Sequence, residues 1–189
     1  RAAALPVDAA DQESLQRGFA QIGNFDHLVL ALGSRKGAGP FASIGIAEVR
    51  QGFEEKVFPQ FQAAQLALPH LPPQGSLTFV SAVSAQAGAP GTAGIGAQNA
   101  AVATLVPILA AELKPLRVNG VSPGVVDTPW WDFLPEEQKR AAFAQFAAAT
   151  PVGRIGTADD IAQIIELLVA NGFMTGQTII CDGGMSLKG

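Results

Sequence analysis

The sequence contains no tyrosine, and only 15% of its 189 residues are charged. A typical domain has about 25% charged residues. Because 48% of the residues are hydrophobic, the chain can bury a large core and does not have the composition of a disordered segment. The net charge is −4 and no run of lysine or arginine occurs, so the clustered positive charge that nucleic-acid phosphates require is missing. We expect a folded domain without a nucleic-acid partner.

Cysteine is nearly absent as well. The single cysteine, Cys181, excludes a disulfide framework within the chain and is typical of a reducing compartment, so we expect a cytoplasmic protein. The longest apolar stretch, residues 100–111, is interrupted by Thr104 and Pro107 and is shorter than the ~20 residues that span a bilayer. We therefore expect no membrane partner. The chain begins with Arg1 rather than methionine, and we expect further residues to precede it.

Strand-like and helix-like segments alternate along the chain. The sequence predicts strands at residues 3–7, 27–32, 76–81, 117–122 and 178–181. Helical spacing of apolar residues predicts helices at 11–22, 46–68, 93–113, 135–148 and 157–170. We expect Asp11 or Ser14 to cap the first helix, Pro59 to bend the second, and Thr157 and Asp160 to form a capping box. This alternation predicts an α/β domain with a doubly wound parallel sheet between two helical layers.

Three segments in the middle of the chain carry a recognisable order of motifs. They read LTFVSAVSAQAG from Leu77, GIGAQNAAVATL from Gly94 and ELKPLRVNGVSPGVVDTP from Glu112. This order resembles the short-chain dehydrogenase/reductase family, in which a strand ends in Ser, a helix carries Tyr-x-x-x-Lys, and Arg-Val-Asn precedes a Pro-Gly loop that closes on Thr. The final segment, residues 175–184, resembles the closing strand of the same family.

The resemblance implies that residues 1–189 form the C-terminal three quarters of a single Rossmann-like domain. Nothing in the sequence matches the family's first βαβα part, which takes about 60 residues because one βαβ unit takes ~30. Without that part the strand at residues 27–32 would have an exposed edge, and the strand at residues 3–7 would have no neighbour. We expect the missing part to precede Arg1.

The reactive positions of the resembled family are substituted here. The family's Tyr corresponds to Ile95, its Lys to Asn99 and its Ser to Ala82. Isoleucine and alanine cannot donate a proton and asparagine does not titrate, and loss of a general acid typically costs a factor of about 10²–10⁴. The family's fourth residue, an Asn, corresponds to Lys56, the only titratable candidate. A solvated helix lysine is expected there; if it pointed into the cleft, burial would lower its pKa and make it an acid.

The resemblance also implies NAD or NADP as the cofactor. The positions that correspond to the family's cofactor contacts are Asp8, Gly33, Pro123, Gly124, Val126 and Thr128. Asp8 either lies near the adenine or is an ordinary surface residue at a strand end. The loop of residues 123–128 either contacts the nicotinamide amide or is a structural turn. Gly33, Gly37 and Gly39 imitate a phosphate-binding loop, but the strand before them favours the loop that follows the family's fourth strand.

Trp130, Trp131 and Phe133 follow that loop and predict either a lid over a hydrophobic substrate or a contact with a neighbouring subunit. The resemblance implies a small hydrophobic carbonyl or alcohol as substrate, and a dimer or a tetramer in which helices 46–68 and 93–113 pair. No metal site is expected, because Cys181 has no partner at ligand spacing. We expect His27, His70, Ser81 and Ser84 to be structural.

Two functions remain open on the sequence. One is an NAD(P)-linked oxidoreductase with a non-standard proton donor. The other is a catalytically inactive family member that binds a nucleotide or a partner subunit. The residues at positions 82, 95 and 99 favour the second function, and the general behaviour of the family favours the first.

Overall fold

The computed structural model describes residues 2–187. Its helices are α1 (Gln12–Ile22), α2 (Ile46–Gly52), α3 (Phe58–Ala67), α4 (Ala93–Glu112), α5 (Glu136–Ala149) and α6 (Ala158–Ala170). Its strands are β1 (His27–Leu30), β2 (Ser76–Val80), β3 (Arg117–Pro123), β4 (Val126–Asp127), β5 (Gly156–Thr157) and β6 (Thr178–Cys181). A π-helical turn, Phe53–Val57, joins α2 to α3, and short 3₁₀ turns occur at Leu68–His70, Val83–Ala85 and Pro129–Trp131.

Four strands form a parallel sheet in the order β1-β2-β3-β6. Strand residues alternate between the two faces of a sheet, so Val118 and Val121, which are both fully buried, face opposite sides. Val118 belongs to the core that α3 and α4 cover, and α6 packs against β2, β3 and β6. The prediction of a doubly wound α/β sheet between two helical layers is confirmed.

The predicted strand at residues 3–7 is wrong. These residues are irregular, and the amide of Asp8 donates to Oγ of Ser14 at 2.9 Å. A strand requires a hydrogen-bonding neighbour, and within residues 2–187 the outer edge of β1 has none. Asp11 alone caps α1, because its carboxylate accepts the N–H of Glu13.

The second predicted helix is interrupted before Pro59 rather than at it. The N–H of Phe58 donates to the carbonyl of Phe53, five residues back, which closes the π-helical turn. Proline lacks an N–H and crowds the preceding helical turn, and the wider turn lies directly before it. A Cβ at Gly52 would collide with the amide of Gln98, so the glycine allows α2 to approach α4 closely.

The capping box at the start of α6 is confirmed. The hydroxyl of Thr157 accepts the N–H of Asp160, and the carboxylate of Asp160 accepts the N–H of Thr157 at 2.7 Å. The guanidinium of Arg154 donates to both oxygens of Asp160 and, together with the Thr157 N–H, holds the pKa of that carboxyl far below its usual range.

Helix α4 is the longest helix among residues 2–187. By length and composition alone its 20 residues could cross a membrane. Val102 and Val106 on α4 are fully buried, and the helix packs against β2 and β3. One face of α4 therefore packs against the sheet.

Candidate active site

A cavity of about 790 Å³ opens at the carboxyl ends of β1, β2 and β3. Its walls come from the loops that follow these strands, from the start of α4, and from the region between Trp130 and α6. Open parallel sheets bind their ligands at this edge, and the volume lies within the ~300–1,000 Å³ of small-molecule sites. The walls are mostly apolar, so the few polar side chains that reach the cavity decide its chemistry.

The four positions that correspond to the family's reactive residues lie at one cavity. Lys56, Ala82, Ile95 and Asn99 all line this cavity. Ser81 fixes the junction between them, because its buried hydroxyl donates to the carbonyl of Asn99 at 2.9 Å and ties the end of β2 to α4. Neither Ala82 nor Ile95 brings a proton donor to the cavity.

Lys56 is not the solvated lysine that the sequence led us to expect. Its side chain is 6% exposed, and Nζ donates to the carbonyl of Ser81 at 3.5 Å. Burial lowers the pKa of the ammonium to about 8. Lys56 lies on the inward stripe that also contains Gly52 and Gln60, one helical turn away on either side. That spacing of small and uncharged residues was the signal in the sequence that Lys56 faces inward.

Asn99 fills the place of the family's lysine without its charge. Its Nδ2 donates to Oγ of Ser84 and to the carbonyl of Ile95, both at 3.0 Å. Ser84 lines the cavity and donates no hydrogen bond to any residue in the range 2–187, so its proton is available to a ligand. Sequence reasoning gave Ser84 a structural role, because spacing alone does not tell which of two nearby serines faces a cleft.

The residues that correspond to cofactor contacts divide into two groups. Gly33, Pro123, Gly124, Val126 and Thr128 line the cavity. Asp8 lies outside it, at an exposed turn where its carboxylate accepts the N–H of Ala10. An adenine contact for Asp8 remains a prediction.

The cavity fits the nicotinamide end of a dinucleotide. A flat ring with an amide and a ribose needs an apolar wall and a few hydrogen-bond donors. Ile95 and Val126 provide apolar surface, and the hydroxyl of Thr128 makes no hydrogen bond within the described range, residues 2–187. Thr128 and the backbone of the loop before it would hold the nicotinamide, with Ser84 and Lys56 further along the same cavity.

An aromatic cluster forms the wall opposite the sheet. The indole of Trp131 donates to the carbonyl of Val126 at 3.1 Å and packs on Phe143 and Phe146 of α5, with ring centres 5.5 and 5.7 Å away. Trp130 and Trp131 line the cavity. Phe133 packs on both tryptophans and lies under the guanidinium of Arg35 at 5.0 Å, which links it to the loop after β1. The two tryptophans therefore cover the cleft from one side.

Known proteins resemble this chain in sequence and in structure. A model of the enoyl-(acyl carrier protein) reductase family matches residues 1–186. A 3-oxoacyl-[acyl-carrier-protein] reductase of Thermotoga maritima is 34% identical over 131 residues, which are 66% of this chain and 52% of that protein. Cis-4-hydroxycyclohexanecarboxylate dehydrogenase of Sinomonas cyclohexanicum is 28% identical over 194 residues, 97% of this chain and 76% of that protein.

Among solved structures, a small-chain dehydrogenase in complex with NADPH superimposes with a TM-score of 0.93 at 32% identity. The match covers 96% of this chain and 83% of that one. The present chain spans about half the length of the Thermotoga relative, at 52%.

Proposed function

Because this chain belongs to the short-chain dehydrogenase/reductase family, we propose that the full-length protein is an NAD(P)-linked oxidoreductase with a non-standard proton donor. Its substrate would be a small hydrophobic carbonyl compound or alcohol. The proposal depends on one observation above all, which is the ammonium of Lys56 buried in the apolar cavity where the substituted positions meet. The NADPH complex of the similar dehydrogenase supports the choice of cofactor class.

Lys56 supplies what Ile95 cannot. A bound dinucleotide would provide the hydride in the reducing direction. The developing negative charge on the substrate oxygen is stabilised by the ammonium, and Nζ transfers a proton to that oxygen, leaving an alcohol and a neutral amine that solvent reprotonates. A pKa of about 8 suits this role better than the ordinary 10.5 of lysine, because an acid works best when its pKa lies near the operating pH. The hydroxyl of Ser84 donates a second hydrogen bond to the same oxygen.

The test is the turnover of octanal, decanal and 2-decanone with NADH and with NADPH. Turnover is measured as the loss of absorbance of the reduced nicotinamide. Wild-type full-length protein should exceed the blank, and Lys56→Gln should fall to the blank. Wild-type activity should decline above pH 8, since only the ammonium can donate. Lys114→Gln, at an exposed position after α4, is the matched control and should leave turnover unchanged. Undiminished turnover in Lys56→Gln would contradict the role of Lys56.

A second candidate is a catalytically inactive member that binds the dinucleotide. It is favoured by the meeting of Ala82, Ile95 and Asn99 at one cavity, where none of the three supplies an acid. Binding of NADPH or NADH without turnover on any carbonyl compound of the panel would support this candidate over the first.

We also propose self-association as a dimer or a tetramer built from dimers. Phe58 and Phe61 on α3 and Ile108 on α4 are 51%, 48% and 53% exposed, and packing them against a second copy would remove apolar surface from water. Phe61→Glu combined with Ile108→Glu should convert the full-length protein to monomers in light scattering. Gln65→Glu adds one charge at an exposed position of α3 and should leave the assembly intact. A wild-type monomer at micromolar concentration would refute the proposal.

A further inference from the structure

Of the residues in the range 2–187 that line the cavity, only Lys56 has a charged side chain. Its ammonium has three protons to donate, and within residues 2–187 it makes one hydrogen bond, a long one of 3.5 Å to the carbonyl of Ser81. It forms no ion pair with any carboxylate of the same range. A buried charge without a partner is destabilising, because the protein replaces little of the water that it loses.

A ligand can supply the missing partner. A neutral carbonyl oxygen accepts one hydrogen bond but leaves the charge uncompensated, whereas a carboxylate offers two oxygens and the opposite charge. A phosphate dianion would need further cations, and among residues 2–187 the cavity is lined by none besides Lys56. The rest of the ligand must be apolar, since the walls include Val83, Trp130, Phe146, Ile161, Ile165 and Met185.

We propose that this cleft binds apolar monocarboxylates of the fatty-acid class. One carboxylate oxygen pairs with the ammonium of Lys56, and the other accepts a hydrogen bond from the hydroxyl of Ser84. The hydrocarbon chain lies along the apolar walls. This proposal concerns the same cavity as the proposed function. It rests on that function in one respect: the ammonium that would pair with the acid is the one that would hold the oxygen of a carbonyl substrate. A bound acid therefore excludes that substrate, so such acids are competitive inhibitors if the protein turns over.

Matched ligands with one chain length separate the charge from the hydrocarbon. Decanoate, decanol and decyltrimethylammonium are titrated into full-length protein below their micelle concentrations, by calorimetry and by the fluorescence of Trp130 and Trp131. Decanoate should bind at least tenfold more tightly than decanol, and the cationic ligand more weakly than decanol. The preference for decanoate should fall above pH 8, while the affinity for decanol stays constant.

Variants at position 56 identify the partner of the carboxylate. Lys56→Met should reduce the affinity for decanoate at least tenfold and leave decanol binding intact, which also shows that the cavity has kept its shape. Lys56→Arg keeps the charge and should retain the preference, and Lys114→Met is the surface control. Equal affinity of wild-type protein for decanoate and decanol would overturn the proposal, as would an undiminished preference in Lys56→Met.

Dinucleotide binding and turnover are measured separately on the same samples. Acid binding without turnover would support this inference and refute the proposed oxidoreductase. Turnover without a preference for decanoate over decanol would support the proposed oxidoreductase and refute this inference.

Discussion

A variant that carries the family's residues at all four positions is expected to reduce carbonyl compounds about 10²–10⁴ times faster than the same variant with phenylalanine at position 95. The variant combines Lys56→Asn, Ala82→Ser, Ile95→Tyr and Asn99→Lys. It conserves the net charge, because the positive charge moves from position 56, in the π-helical turn before α3, to position 99 on α4. Because the variant has lost Lys56, the difference between its Tyr and Phe versions is the contribution that a positioned general acid normally makes.

The geometry supports this expectation. All four positions already border one cavity, so the new groups would meet without rebuilding the backbone. Ala82 and Ile95 are only partly buried, which leaves their replacements room on the cavity side. A tyrosine hydroxyl at position 95 would have a lysine one helical turn away at position 99, and that charge would lower the phenol pKa from its ordinary value near 10.

The matched control replaces Ile95 with Phe in the same background, which keeps the ring and removes the hydroxyl. Initial rates on the aldehyde and ketone panel, with both reduced dinucleotides at saturation, give the comparison. Equal rates for the Tyr and Phe versions would mean that the lost side chains are not what limits this protein.

The sequence predicted the framework of the fold because each element carries its own local signal. The apolar residues Leu77, Phe79 and Val80 identified β2, and the spacing of Thr157 and Asp160 identified the start of α6. The segment at residues 3–7 carries the same kind of signal and is nevertheless irregular. Strand formation depends on a hydrogen-bonding neighbour as well as on composition, and no local pattern contains that neighbour.

The sequence predicted that four residues share one cavity, but it did not predict how two of the cavity's side chains are oriented. Family spacing placed positions 56, 82, 95 and 99 at one site, and the structure brings them to one cavity. The orientation of Lys56 was missed because lysine is usually solvated, and that expectation outweighed the spacing of Gly52 and Gln60 on either side of it. Ser84 was missed for a related reason, since its free proton depends on the amide of Asn99, fifteen residues away.

Lys56→Met is expected to stabilise the full-length protein by about 3 kcal/mol at pH 7. The ordinary pKa of lysine is 10.5, and burial lowers that of Lys56 to about 8. Because one pKa unit corresponds to ~1.4 kcal/mol, the charged form is disfavoured in the folded state by roughly 3 kcal/mol. Methionine has a similar length without the charge, so it removes this cost and keeps most of the packing. A residue that is retained at such a cost is typical of a functional site.

The pH dependence distinguishes this explanation from a general improvement in packing. Between pH 8 and pH 10.5 the unfolded chain still holds a proton on Lys56 that the folded protein has released, so wild-type stability rises with pH through this window. Below pH 8 Lys56 is protonated in both the folded and the unfolded state, and its buried charge destabilises the folded protein by the full amount. Above pH 10.5 Lys56 is neutral in both states, and this destabilisation vanishes. The advantage of Lys56→Met in urea unfolding should therefore shrink from about 3 kcal/mol at pH 7 to below ~1 kcal/mol at pH 10. Lys114→Met should show no advantage at either pH. If the stability advantage of Lys56→Met were the same at pH 7 and pH 10, the gain would come from packing. If Lys56→Met were less stable than the wild type at pH 7, the ammonium of Lys56 would have a compensating partner in the folded protein.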